Sequence, residues 1–198
     1  MHHLVLASAS PRRRELLERI GVKIDVRPAD IDESIHDGED PIAYAARLAD
    51  EKARIACAAA PDTNAWVLAA DTVVELDGKV LGKAADADEA RGMLRKLAGR
   101  THRVTTAFVL VSPAGAHRQQ VSTDVTMVEM SDAQIGDYVD SGEWRDKAGS
   151  YAVQGIAAAL VSKVHGSVTN VIGLPLAEVA LVLARSATPP RFAAGRSA

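Results

Sequence analysis

The feature that most restricts the fold is an apolar run interrupted by one carboxylate. Residues 65–74 read Ala-Trp-Val-Leu-Ala-Ala-Asp-Thr-Val-Val, which predicts a strand buried on both faces. A buried carboxylate without a partner is costly in free energy. We therefore expect Asp71 to be bound to a metal, a cation or a proton, or to lie where the strand opens into a cleft. Each alternative makes Asp71 a candidate site residue.

The beginning of the chain predicts a short buried strand, a turn of small residues and a helix. Residues 4–7 are apolar, Ser10 is a good N-cap, and Pro11 suits the first helical position, where its missing N–H costs nothing. Gly21 stands where a left-handed C-cap is favoured. The helix is therefore well delimited by its own sequence.

The first turn of this helix carries an unusual charge. Arg12, Arg13 and Arg14 follow one another at the end where the helix dipole is already positive. A bound anion explains this arrangement, because backbone N–H groups, the hydroxyls of Ser8 and Ser10 and the guanidinium groups together suit phosphate oxygens. The alternative is a solvated basic turn without a ligand.

An acidic segment lies between the second predicted strand, residues 22–26, and the second helix. It contains no lysine or arginine among its six carboxylates, which are Asp30, Asp32, Glu33, Asp37, Glu39 and Asp40. Carboxylate oxygens are hard ligands suited to magnesium or manganese. The alternative, a solvated loop, applies to most of them.

The second predicted helix, residues 41–59, has one charged residue beside its apolar stripe. Lys52 lies three residues after Ala49 and four before Ala56, and so borders the buried face. A lysine here can snorkel to solvent. It can also present a half-buried ammonium to an anion in a cleft.

The rest of the chain predicts a mixture of strands and helices. Asp77-Gly78 is a strong hairpin signal and returns Lys83 to the level of Asp71. We expect a helix from Asp86 to residue 97, a long hairpin over residues 103–111 and 119–130, and a helix from Ser131 to residue 142. A short strand at 157–161 and a terminal helix to residue 185 complete one domain, residues 1–185. The tail, residues 186–198, is predicted to be disordered.

Composition excludes several classes of protein. The 198 residues carry 23 basic and 26 acidic side chains, a formal charge of −3, so no global attraction to nucleic acid or to an anionic membrane is expected. One cysteine, Cys57, excludes an internal disulfide framework. There is no Gly-rich P-loop and no apolar run of transmembrane length. A cytoplasmic protein is the default expectation.

The motifs taken together resemble a known family. Ala-Ser-x-Ser-Pro-Arg-Arg-x-x-Leu-Leu from residue 7, Leu-Ala-x-Glu-Lys-Ala from residue 48, the Ala-Asp-Thr-Val-Val run from residue 70 and the segment 146–155 are similar to motifs of the Maf family of nucleoside triphosphate pyrophosphatases. The resemblance covers nearly the whole chain to about residue 184. It implies a mixed α/β fold, related to ITP pyrophosphatases, with a central, largely antiparallel sheet in two lobes around a cleft.

The resemblance also implies roles for individual residues. Asp71 corresponds to the general base, and the Ile-x-Glu segment singles out Glu33 as a second acidic group, so these two are the expected ligands of magnesium or manganese. The expected contacts to the nucleotide come from Ser8, Arg12, Arg13, Lys52, Thr72, Lys83 and Gln154. Ala84 follows Lys83 where the family usually has proline, which leaves the ammonium in place.

Three positions indicate a branch of the family. Arg12, Thr72 and Gln154 are similar to the branch that acts on dTTP and UTP, whereas the 7-methyl-GTP branch has Trp, Gln and Glu there. An Asn or Gln amide offers both a donor and an acceptor to a base edge, although a lone Gln in a loop is usually just a polar residue on the surface. The expected reaction is hydrolysis between the α- and β-phosphates. A homodimer is a candidate assembly.

Two other functions are alternatives. The family was first associated with inhibition of septum formation, so a regulatory partner in cell division is an alternative with little catalysis. A nucleic-acid binder acting through the arginine cluster is the other. The net charge and the aromatic content of 4% argue against stacking on bases and against a long basic track.

Overall fold

The computed structural model describes residues 4–60 and 65–185. The strands are β1 (Leu4–Leu6), β2 (Ile24–Val26), β3 (Trp66–Leu76), β4 (Lys79–Leu81), β5 (Thr101–Ser112), β6 (Gly115–Met127) and β7 (Val161–His165). The α-helices are α1 (Pro11–Arg19), α2 (Pro41–Ala58), α3 (Ala87–Leu97), α4 (Asp132–Asp140), α5 (Val168–Ile172) and α6 (Leu176–Ala184). A 3₁₀ helix spans Ile156–Leu160. None of the described helices is long and apolar enough to cross a membrane.

The strands form one mixed sheet. Its order is β2-β1-β3-β5-β6-β7, with β4 paired to β3. β1 is parallel to both β2 and β3, and the remaining pairs are antiparallel. This confirms the expected mixed α/β fold with a largely antiparallel sheet. The apolar run forms β3, which lies inside the sheet between β1 and β5.

Side chains of β1 and β3 alternate between two faces, and each face has its own helices. On one face, α1 and α6 pack against Leu6, Leu68 and Phe108. On the other face, the alanines of α2 pack against Val67 and Ala69. Small residues let α2 lie close to the sheet. These two layers make the first lobe.

A third core makes the second lobe. The distal half of β3, with Val74 and Leu76, packs with β5, β6, α3 and α4 around the buried Trp144 and Tyr151. Since β3 and β5 run through both lobes, the lobes share one sheet. The capping predictions for α2, α3 and α4 are confirmed, because the side chains of Asp40, Asp86 and Ser131 accept N–H groups of their helices.

The structure corrects the prediction at residues 157–161. These residues were expected to be a strand, but Ile156–Leu160 is a 3₁₀ helix and the strand β7 begins at Val161. A short apolar run does not distinguish strand from helix by its pattern, and its three alanines have low strand propensity. Helix α5 was not predicted. The turn predicted at residues 61–64 and the tail at 186–198 lie outside the described residues.

Candidate active site

A cavity of about 680 Å³, called the cleft below, is lined by residues of both lobes. All nine residues expected at the site line it: Ser8, Arg12, Arg13, Glu33, Lys52, Asp71, Thr72, Lys83 and Gln154. They come from the turn after β1, the start of α1, the loop after β2, α2, β3, the segment after β4 and the loop before the 3₁₀ helix. The fold therefore brings together side chains that are up to 146 positions apart, from Ser8 to Gln154.

Strand alternation separates two neighbouring site residues. Asp71 lies on the face of β3 that packs against α2, and Thr72 lies on the face that packs against α1. Asp71 consequently contacts Lys52 of α2, while Thr72 contacts Arg13 of α1. Neighbouring residues of β3 thus contact one cationic side chain on each face of the sheet.

The ammonium of Lys52 joins the two carboxylates of the site. Its Nζ lies 2.7 Å from Oδ1 of Asp71 and 2.6 Å from Oε1 of Glu33. Lys52 and Asp71 are buried, with 9% and 12% of their side chains exposed. Of the alternatives for Asp71, the structure shows a bound cation at the wall of the cleft. The lysine does not snorkel to solvent.

The electrostatics of Glu33 reflect these cations. Its partial burial acts to raise the pKa of the carboxyl. The hydrogen bond from Lys52 and the charges of Lys52, Lys83 and Arg13 outweigh burial and hold that pKa below its ordinary value. Glu33 therefore stays ionised at neutral pH.

The loop that carries Glu33 is fastened to α2. The Tyr44 hydroxyl donates to the backbone carbonyl of Glu33 at 2.8 Å. Arg47 donates to the carbonyl of Ser34 at 3.0 Å and to the carboxylate of Glu39 at 2.7 Å. Asp40 caps α2. Much of the acidic segment is thus used for structure.

Glu33 and Asp71 fit the role of ligands to a divalent ion in one respect. Both carboxylates reach a single cationic centre, the Lys52 ammonium, so they are close enough to share one cation. Among the described residues, no group of three or more His, Cys, Asp or Glu side chains is arranged for a metal. The protein thus offers two hard oxygen donors, and a triphosphate would supply others.

Arg13 is the most constrained cation of the site. Its Nε donates to the carbonyl of Gly173 at 2.8 Å, Nη1 to Ser8 Oγ at 2.9 Å and Nη2 to Thr72 Oγ1 at 3.1 Å. A guanidinium has five N–H groups, so Nη1 and Nη2 each keep a second donor after these contacts. Burial lowers the pKa of Arg13.

The three consecutive arginines have different environments. Arg12 lines the cleft, and its Nε donates to the carbonyl of Ile172 at 3.3 Å. Burial lowers the pKa of Arg12 as well. Arg14 instead lies on the surface, where it pairs with Glu18 at 2.8 Å. Two of the arginines belong to the cleft, and the third is a solvated helix charge.

A buried hydrogen-bond network holds Thr72 in place. Its hydroxyl lies 2.8 Å from that of Thr106. The amide of Asn170, which is fully buried, accepts the Thr106 N–H at 3.1 Å and donates to the carbonyl of Val104 at 2.9 Å. Helix α5 is thereby tied to the sheet behind the arginines.

Several cleft residues were not among the expected site residues. Tyr44, Arg145, Asp146, Lys147 and Tyr151 also line the cleft. The segment 146–155 carried a signal, since it belongs to the motif that supplied Gln154. Tyr44 gave none, because its role depends on the path of the loop after β2. Burial, followed by the nearby charge of Arg12, lowers the pKa of Lys147.

Comparison with known proteins identifies the family. Residues 3–186 match the family model described as Maf, Maf-like protein, and the chain belongs to this family, as the motifs indicated. It is 51% identical over 190 residues to a protein of Anaeromyxobacter dehalogenans named dTTP/UTP pyrophosphatase, covering 94% of this chain and 95% of that protein. A protein of Myxococcus xanthus with the same name is 50% identical over 188 residues, with 94% and 93% covered.

The fold is also similar to a solved structure. The chain superimposes on a HAM1 protein from Coxiella burnetii with a TM-score of 0.51 and 19% identity, covering 94% of this chain and 100% of that one. At this identity the likeness concerns the fold alone. It agrees with the expected mixed α/β fold.

Proposed function

We propose that this protein hydrolyses dTTP and UTP to the nucleoside monophosphate and pyrophosphate. The observation that carries the proposal is the buried Lys52–Asp71 contact in a cleft that Arg12, Arg13 and Lys83 also line. Relatives of about 50% identity over nearly the whole chain bear the name dTTP/UTP pyrophosphatase, which supports the choice of nucleotides.

In the proposed mechanism, Asp71 is the general base. Its carboxylate takes a proton from the attacking water as the oxygen forms a bond to phosphorus and the anhydride bond between the α- and β-phosphates breaks. Pyrophosphate leaves with the electron pair of that bond. The Lys52 ammonium, 2.7 Å from Oδ1 of Asp71, holds the carboxylate in place for this proton transfer.

The cations of the cleft hold the triphosphate. Arg13 has two N–H groups to offer after its bonds to Ser8, Thr72 and Gly173, and its fixed orientation lowers the entropy cost of binding. Lys52 moves its hydrogen bonds in part from Glu33 to phosphate oxygens. Magnesium or manganese, held by Glu33 and Asp71, would offset the charge on the phosphate oxygens.

Base selection is assigned to Gln154, assisted by Arg12 and Thr72. The Gln154 amide can pair with a carbonyl and an N–H on one edge of uracil or thymine. The Thr72 hydroxyl is engaged by Arg13 and Thr106, so Thr72 shapes the wall of the cleft more than it reads the base. Arg12 closes the cleft beside it.

The test is a panel of standard and modified nucleoside triphosphates with magnesium or manganese. Pyrophosphate and orthophosphate are measured separately. We expect dTTP and UTP to be the best substrates and pyrophosphate to be the product. If the folded protein released orthophosphate only, the pyrophosphatase proposal would be rejected in favour of a different phosphohydrolase. If it released nothing from any nucleotide, the interpretation as a cell-division partner would become the better one.

A further inference from the structure

The carboxylate of Glu143, a residue that is not among those lining the cleft, holds the loop next to Gln154 in place. Glu143 lies just after α4, and Oε1 accepts the N–H of Ile156 at 2.8 Å while Oε2 accepts the N–H of Ala157 at 3.1 Å. These N–H groups open the 3₁₀ helix and have no partner within it. Bonds to an ionised acceptor are among the stronger hydrogen bonds in proteins.

Gly155, between Gln154 and Ile156, leaves space for this contact. Gly155 has a φ of −113°, outside the left-handed region that favours glycine. Its side-chain space is the constraint, because a Cβ at this position would fall on the carboxylate of Glu143. The Gly155 N–H also donates to the carbonyl of Ala152 at 2.9 Å. The backbone is therefore fastened on both sides of Gln154.

Glu143 is itself held firmly. The next residue, Trp144, is 2% exposed, and its indole N–H donates to the carbonyl of Val139 at 2.9 Å. The N–H of Glu143 donates to Ser141 Oγ at 3.2 Å. The carboxylate therefore extends from a segment anchored in the core of the second lobe.

Gln154 depends on this anchoring. Its side chain is exposed at the wall of the cleft, and we see no hydrogen bond from it to another residue in the described parts of the chain. Because no such bond holds the side chain, its place in the cleft depends on the position of its backbone. We propose that Glu143 is a positioning residue for base selection, which fixes the backbone of Gln154 and so aims its amide at the pyrimidine. This inference rests on the proposed function, in which Gln154 reads the base.

The central test is Glu143→Gln, measured as kcat/KM for UTP and for CTP. The amide is nearly isosteric, but it can accept only one of the two N–H groups and has no charge. We expect the preference for UTP over CTP to fall by about tenfold, the equivalent of one charge-assisted hydrogen bond. The matched control is Asp140→Asn, which removes a charge from the end of α4, where Asp140 pairs with Arg91 on the surface. Its preference should be unchanged.

Gln154→Ala, assayed in parallel, separates the two hypotheses. Loss of preference in both Gln154→Ala and Glu143→Gln supports the inference. Loss in Gln154→Ala alone overturns the inference and leaves the proposed function standing. If neither variant changes the preference, base reading by Gln154 is wrong and the inference falls with it. An equal loss of kcat/KM for UTP and CTP in Glu143→Gln would indicate a merely structural role, and would also overturn the inference.

A second variant approaches the same contact from the other side. In Gly155→Ala the new methyl group displaces the Glu143 carboxylate, so the preference should fall as it does in Glu143→Gln. The double variant should lose little more than either single one, since both remove one interaction. Gly155→Ala also decides the question if Glu143→Gln does not fold. An unchanged preference in folded Gly155→Ala would overturn the inference.

Discussion

Nζ of Lys52 lies 2.7 Å from Oδ1 of Asp71, and both side chains are buried at the wall of the cleft. The two residues are 19 positions apart and belong to α2 and β3. A buried ion pair adds little net stability compared with well-packed apolar side chains of similar volume. The pair is therefore better explained by the chemistry of the cleft than by the stability of the fold.

Asp71→Asn should abolish turnover and leave the fold intact. The amide has nearly the same shape, but it cannot accept a proton from water, and loss of a positioned general base costs about 10²–10⁴ in rate. Lys52 keeps Glu33 as a partner, so unfolding is not expected. The measurement is kcat for dTTP, with circular dichroism as the control. Turnover near the wild-type rate in the folded variant would remove Asp71 from the mechanism.

Arg13→Ala should lower kcat/KM for dTTP and UTP alike by at least about tenfold, because a charge-assisted contact is worth roughly 1.5–3 kcal/mol. Lys52→Ala and Lys83→Ala should behave in the same way. Arg14→Ala is the matched control, since its partner is Glu18 on the surface, and it should remain near wild type. Arg13→Lys should recover only part of the loss, because lysine has no planar fork.

If the Arg13, Lys52 or Lys83 variants changed the choice of base without lowering kcat/KM, their assignment to the triphosphate would be wrong. Thermal unfolding of each variant is needed as well. Arg13 bonds to Ser8, Thr72 and Gly173, so part of its effect can arise from a loosened site.

The stability of the protein should fall on mild acidification because of His102. This histidine is 3% exposed, and burial lowers its pKa from 6.5 to about 4. Between these values the unfolded chain binds a proton that the folded protein does not. The contribution of His102 is thus complete above pH 6.5 and is lost progressively as the pH falls towards 4.

The expected loss from His102 alone is about 3 kcal/mol, at about 1.4 kcal/mol per pKa unit. Urea unfolding at pH 7 and near pH 4 measures it in the wild type and in His102→Gln, which can keep a bond to the Tyr151 hydroxyl, 2.8 Å from Nε2 in the wild type. The variant should show the smaller decrease. Equal decreases in the two proteins would mean that His102 is not the titrating group.

We expect Arg12, Thr72 and Gln154 to set the base preference together. UTP and dTTP should exceed CTP by about tenfold or more in kcat/KM, because a buried polar group left unpaired by the wrong base costs roughly 1–3 kcal/mol. The triple variant Arg12→Trp, Thr72→Gln, Gln154→Glu should shift preference towards 7-methyl-GTP. The nucleotide panel measures both effects.

Thr72→Gln alone should lower kcat/KM for every nucleotide, because the Thr72 hydroxyl contacts Arg13 at 3.1 Å. That variant is the control for the triple change. Preference of the wild-type protein for 7-methyl-GTP or CTP would refute the branch assignment, and the pyrophosphatase assignment would survive it.

Features that depend on near neighbours could be predicted from the amino-acid sequence. The apolar run predicted β3, the Asp-Gly pair predicted the turn to β4, and Asp40, Asp86 and Ser131 marked helix starts, all of which rest on contacts within a few residues. Asp71 and the arginines of the first turn of α1 were also predictable, because their charge conflicts with their position. The other expected cleft residues were indicated by the resemblance of their motifs to the family: Glu33, Thr72, Lys83 and Gln154.

Features that depend on distant contacts follow from the packing of the folded chain. Only the path of the chain shows that Lys52 contacts both Asp71 and Glu33. The path also shows that Arg13 lines the cleft, whereas Arg14 pairs with Glu18 on the surface. The contact of Tyr44 with the loop of Glu33 likewise depends on this path. The 3₁₀ helix at Ile156 also belongs here, since its first N–H groups bind Glu143, 13 residues earlier. Local propensity is weak in such segments, and a long-range hydrogen bond selects the conformation.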